Sequence, residues 1–255
     1  MFTTNPFTAL TAFVSPDLMQ GYIVLMALAV AIGTVFDLLH DKKLTFFLQE
    51  RQRAKAAAKQ PLNATGLAAI AAKTLANDIA TFGEFCNQQR RISHVLMAYG
   101  FVLYLITTVV MVFSYPTDAH PPLALPVLWN IGALMTLVGG YWFFFFLRVN
   151  VAHDGHPPWR LVRADLFIVS LLASVTFALV FEWAAMTGNP VATRVFAGLY
   201  LFFTTLLFVS VPWSKFAHMF YKPVVAFQKR VEEDDGSSDL PAPTPGGERC
   251  PHSHT

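Results

Sequence analysis

In 255 residues this chain spends 55% on hydrophobic side chains, including 24 phenylalanines, and only 13% on charged ones. A soluble domain carries about a quarter charged residues, so the composition excludes an ordinary soluble globule and fits a polytopic membrane protein. The net charge of +2 is small and unevenly spread, and nothing in it calls for a nucleic-acid partner.

Five stretches are long enough to cross a hydrocarbon core, which takes roughly 20 apolar residues. The first runs from Leu18 to Phe36, between Asp17 and Asp37. Residues 41–91 follow as the one sizeable segment that does not span. It opens as a basic helix that Pro61 ends or interrupts, then places Leu67, Ala71, Leu75, Ile79 and Phe82 on one helical face, with Lys73 and Asp78 off it. This segment reads as an amphipathic helix along the membrane surface, as a docking platform for a soluble subunit, or as both. The second span starts near Ile92 and ends near Ser114, and the third covers Pro126 to Leu147. The fourth runs from Leu166 to Met186, with Glu182 near its end beside Trp183; that acid is a candidate proton carrier but reads first as an interfacial anchor. The fifth runs from Val195 to Val211 and is expected to continue past Pro212 toward Tyr221. After Val231 the chain turns acidic and then rich in Pro, Gly and Ser, the composition of a disordered tail. Cys250, His252 and His254 in that tail are a weak metal-binding set.

Only helices satisfy their own backbone groups in lipid at these lengths, so the expected fold is an all-α bundle of five transmembrane helices. Its parts are an N-terminus and first helix (1–40), a cytoplasmic amphipathic segment (41–91), a four-helix core (92–230) and a tail (231–255). Nine Lys/Arg lie between the first and second spans, none between the second and third, three between the third and fourth, one between the fourth and fifth, and five after the fifth. By the positive-inside rule the N-terminus is outside and the C-terminus cytoplasmic. Cys86 and Cys250, the only cysteines, then face the cytoplasm, where a structural disulfide is not expected.

With that topology His94 enters the second span from the cytoplasmic side and His218 leaves the fifth toward it. Each lies within about one turn of a basic residue, Arg91 and Lys222. The two imidazoles can therefore share a depth, and bis-histidine ligation of one haem is geometrically open to them. Either alone reads first as an interfacial histidine; the two at matched depth bring the haem reading level with it. His40 is a reserve ligand, and His153 and His156 read as part of a polar turn. His120 is on the outer side and cannot reach the others. Arg91 and Lys215 are candidates for haem propionates or a quinone carbonyl, and Tyr99 and Tyr221 for a quinone oxygen. Snorkelling and aromatic anchoring account for the same four residues.

The stretches CNQQRRISHVLMAYGF at the second span and PWSKFAHMFYKPVVAFQ at the end of the fifth resemble the nitrate reductase gamma-like b-type cytochrome family. The resemblance covers about residues 80–230. It is nearest to the membrane-embedded subunit of the quinone-interacting membrane-bound oxidoreductase and to the membrane anchor associated with adenylylsulfate reductase. It implies a bacterial inner-membrane subunit that does not perform the substrate reaction itself. Such a subunit passes electrons between quinone and soluble cytoplasmic iron–sulfur or flavin subunits, here adenylylsulfate reductase of dissimilatory sulfur metabolism. It also implies that His94 and His218 are axial ligands of haem b. Two-haem relatives carry a second histidine deeper in each ligand helix, and this chain has none there, so one haem at most is expected. It also lacks a cysteine-rich ferredoxin domain, so its electrons must come from or go to another polypeptide. The alternative is a haem-free anchor that recruits the soluble enzyme without carrying electrons.

Overall fold

The computed structural model describes residues 3–40, 43–60, 62–82, 87–148, 161, 165–211 and 218–238, without the side chains of 43–44, 77–79 and 218–222. Every regular element among the described residues is helical. Five helices are long and apolar enough to cross a membrane, as the composition requires. The protein is a multi-pass membrane protein.

A short 3-10 helix, Pro6–Ala12, precedes α1 (Pro16–His40). Then come α2 (Lys43–Ala57), α3 (Ala64–Lys73) with a π-helical continuation Thr74–Ala80, and α4 (Gln88–Ser114). α5 (Ala124–Trp142) ends in a π-helical turn, Phe143–Leu147. α6 (Leu166–Met186), α7 (Pro190–Val209) and α8 (His218–Asp235) complete the chain. The helix ends follow local chemistry. Gly188 takes a left-handed backbone (φ 69°) past the end of α6, as a helix C-terminus favours. Asn189 then caps α7 by accepting from the Val191 and Ala192 amides, with Pro190 in the first turn. α7 stops at Val209, where the Ser210 amide bonds back to Leu206; residues 212–217, over which the span was expected to continue, lie outside the described residues.

The chain divides into two compact units, residues 1–33 with 92–215, and residues 34–91 with 216–255. In the first, α4 to α7 pack as antiparallel neighbours around a closed ring. Ser93 and Gly139 join α4 to α5, Asn130 and Glu182 join α5 to α6, Ser174 and Thr204 join α6 to α7, and Tyr200 and Tyr104 close the ring from α7 to α4. α1 leans on two of these helices. Gln20 donates to the Val112 carbonyl of α4, and Tyr22 reaches the Leu201 carbonyl and Thr205 of α7. The α4–α5 seam brings two backbones together. A Cβ on Gly100, Gly132 or Gly139 would come within 2.8 Å of backbone atoms of the facing helix. Hydrophobic attraction between helices vanishes in lipid, so small residues that let backbones touch become the means of association. The hydroxyls on these faces bond to carbonyls of their own helix, as Thr136 does to Gly132 and Thr107 to Leu103. Met111, Trp129, Ala133, Val175 and Ala178 are completely buried and fill the ring.

In the second unit α8 packs on α3 and on its π-helical continuation. The backbone of α8 stops at Gly236 (φ 76°), and the Asp235 carbonyl accepts from the Lys59 and Gln60 amides. Ile70 and Thr74 are buried in this unit. Leu67 and Leu75, from the face expected to be apolar and continuous, are 37% and 62% exposed. Phe82 does not extend that face, since the helix ends at Ala80 and Phe82 has a left-handed backbone (φ 49°).

Candidate functional site

α4 carries the described part of the histidine site. Its buried positions Ser93, Met97, Gly100 and Tyr104 form the seam against α5. The opposite stripe, Ile92, Tyr99, Ile106 and Phe113, repeats every seventh residue and is exposed throughout. Tyr99, 46% exposed, therefore stands on the lipid-facing side of α4 and away from its packed face. His94 follows the buried Ser93 and is itself half-buried. It shares a stripe with the buried Phe101 and Thr108, one and two heptads on. Arg91 Nε donates to the Thr81 carbonyl at 2.7 Å, which ties the start of α4 to the end of the π-helical segment.

The backbone of α8 begins at His218; its side chain and that of Tyr221 lie outside the described residues. So do Lys215, His153, His156, Cys86 and the Cys250–His254 tail. Of the six residues singled out around the haem and quinone, the structure thus describes the side chains of His94, Arg91 and Tyr99. His40, the reserve ligand, is exposed at the end of α1 and stacks on Phe36 with ring centroids 5.1 Å apart. His120 is exposed in the α4–α5 connection.

Two sets of charged groups, expected in a loop and at an interface, are buried instead. At the end of the α5 π-turn, Arg148 pairs with Asp165 at the start of α6, and both side chains are only 10% exposed. The Arg148 guanidinium also lies 4.5 Å above the Phe144 ring. At the opposite end of the ring Glu182 is 1% exposed. This is not the position of an interfacial anchor: Glu182 Oε1 accepts from Asn130 Nδ2 at 3.1 Å, and Asn130 Nδ2 also reaches the Pro126 carbonyl. The other carboxylate oxygen, Oε2, is buried without a hydrogen-bond partner among the described residues. Trp183 next to it is exposed, as an interfacial aromatic would be.

The N-terminal 3-10 helix packs on this end of α6. Asn5 pins it: its amide and side-chain NH2 donate to the Ala119, Tyr115 and Asp118 carbonyls, while its side-chain oxygen accepts from Phe7. Phe7 sets its ring edge-on to Trp129, centroids 5.9 Å apart, and Trp129 Nε1 donates to Thr108.

A sequence signal for both pairs existed. Asn130 lies four residues from one end of the third expected span and Glu182 four from the end of the fourth, so antiparallel neighbours put them at one depth. Arg148 and Asp165 flank the other ends of the same two spans. Comparison of the chain with protein families, with curated proteins and with solved structures finds no match in any of the three.

Proposed function

We propose that this protein is the membrane subunit of an oxidoreductase complex. It passes electrons between the quinone pool of a bacterial cytoplasmic membrane and a soluble cytoplasmic iron–sulfur or flavin enzyme, with adenylylsulfate reductase as the partner. The observation that carries this reading is His94, half-buried on the inward stripe of a membrane helix, in the sequence context that resembles a haem-ligating span. The resemblance supplies His218 as the second axial ligand, and the distribution of Lys and Arg puts both on the cytoplasmic side. When bound, haem b supplies the one-electron couple. His94 would hold the group from outside the α4–α5 seam, which Gly139 closes against the backbone of Ser93 and Met97. Arg91, whose Nε donates to the Thr81 carbonyl, and Lys215 are the candidates for propionates or a quinone carbonyl. Tyr99, on the lipid-facing stripe, is placed to meet a quinone arriving through the bilayer, and Tyr221 is a second candidate.

Reduced-minus-oxidised absorbance of the purified protein tests the proposal. A b-type spectrum is expected, and His94→Ala and His218→Ala should each abolish it; a spectrum that survives both would refute the ligand assignment. The second reading, a haem-free anchor for the same soluble enzyme, is favoured by the α4–α7 ring, whose interior is filled by the protein's own side chains. Co-purification of the soluble enzyme with a membrane subunit that shows no haem absorbance would establish that reading instead.

A further inference from the structure

We infer that Glu182 is a proton-exchange site, covered by the N-terminal 3-10 helix, at the end of the bundle remote from His94. The inference does not depend on whether a haem is bound. An ionisable residue within a membrane helix is expensive and is by default a functional candidate, and this one faces inward between helices. Its partner Asn130 is a neutral amide that satisfies one carboxylate oxygen and leaves Oε2 without a donor. A structural ion pair is built differently, as Arg148 and Asp165 show at the other end of the same two helices. There a fixed cation holds the carboxylate. No side-chain cation among the described residues faces Glu182; the positive charge that acts on it is that of the chain's N-terminal amino group. The helix Pro6–Ala12 has no ionisable side chain, and α5 presents Trp129 and Asn130. Arg194 of α7 is exposed while its neighbours Thr193 and Ala197 are buried, and Asp118 and His120 of the α4–α5 connection are exposed.

The exchange is a simple acid–base step. The Oε2–H bond breaks, the proton passes to water at this end of the bundle, and the bonding pair stays on the carboxylate; the reverse step reloads the site. Access lies past the 3-10 helix, whose Phe7 rests on Trp129, next in sequence to Asn130. Asn5 holds that helix to the α4–α5 connection by hydrogen bonds alone. For quinone chemistry, in which electrons and protons move together, such a site supplies the protonic half apart from the electron-carrying end.

Infrared difference spectroscopy of the full-length protein in lipid nanodiscs, on exchange from H2O to D2O, tests this. The expected result is a carbonyl band of a protonated carboxylic acid that shifts down in D2O and is missing in Glu182→Gln. In Phe7→Ala the same band should exchange several-fold faster. A wild type without an exchangeable acid band, or a band unchanged in Glu182→Gln, overturns the site. An unaltered exchange rate in Phe7→Ala overturns the covering role. Should Glu182→Gln fail to fold, carbon-13 glutamate in the wild type decides: a band that does not move with the label is not Glu182.

Discussion

At the scale of single residues, the two buried acids of α6 and its first turn illustrate how differently a carboxyl group is accommodated inside a bundle. Asp165 meets a guanidinium that is itself held over Phe144, whereas Glu182 meets one amide. Breaking a buried ion pair by removing one partner costs about 3–5 kcal/mol, mostly because the survivor is left charged and alone. Arg148→Met and Asp165→Asn are therefore each expected to lower the thermal unfolding midpoint in detergent sharply. The Arg148→Met/Asp165→Leu double variant should recover most of the loss, and equal additive losses would show that the pair is not coupled. Trp129→Phe removes the indole donor to Thr108 and should cost about 1 kcal/mol in the same assay. None of this was visible in composition. It emerges when polar residues in successive spans are compared for depth, because antiparallel neighbours bring the end of one to the beginning of the next.

At the scale of elements, the glycines of the α4–α5 seam and Gly198 of α7 behave oppositely. A methyl group on Gly132 would meet the Tyr104 amide nitrogen at 2.7 Å and the Gly100 carbonyl at 2.8 Å, both backbone atoms that cannot swing aside. Gly132→Ala is expected to destabilise by about 1–3 kcal/mol, the usual cost of overpacking. Gly198 in α7 has nothing within 4 Å of the place a methyl group would take, so Gly198→Ala should be neutral or gain up to about 1 kcal/mol of helix propensity. Equal effects from the two substitutions would refute the seam. The existence of all five long helices was legible in the sequence, because an apolar run of that length has one solution in lipid. The fourth span was legible to the residue, Leu166–Met186. The end of the fifth was not, because apolar composition continues past the point where Ser210 turns the chain. The packing of α8 on α3 was not legible for a related reason: spacing identifies an apolar stripe, but α8 is a partner distant in sequence.

At the scale of the whole molecule, the spans and the Lys/Arg asymmetry between their connections imply a definite sidedness. The connection between α4 and α5 should report as external, and the chain end after α8 as cytoplasmic. Reporter fusions placed in residues 115–123 and after Thr255 measure this, and the reverse pattern would remove His94 from the cytoplasmic side along with the proposed electron partner. The division into two units carries a further consequence, one of timing. The second unit is assembled from residues 34–91 and 216–255, so the ribosome makes its first part early and its last part only after four membrane helices have been delivered. Throughout that interval α3 lacks the helix that packs on it. A chain stalled or truncated before His218 should therefore be clipped by protease within residues 58–82 while α4 to α7 stay protected, which makes the docking of α8 the step that completes the second unit.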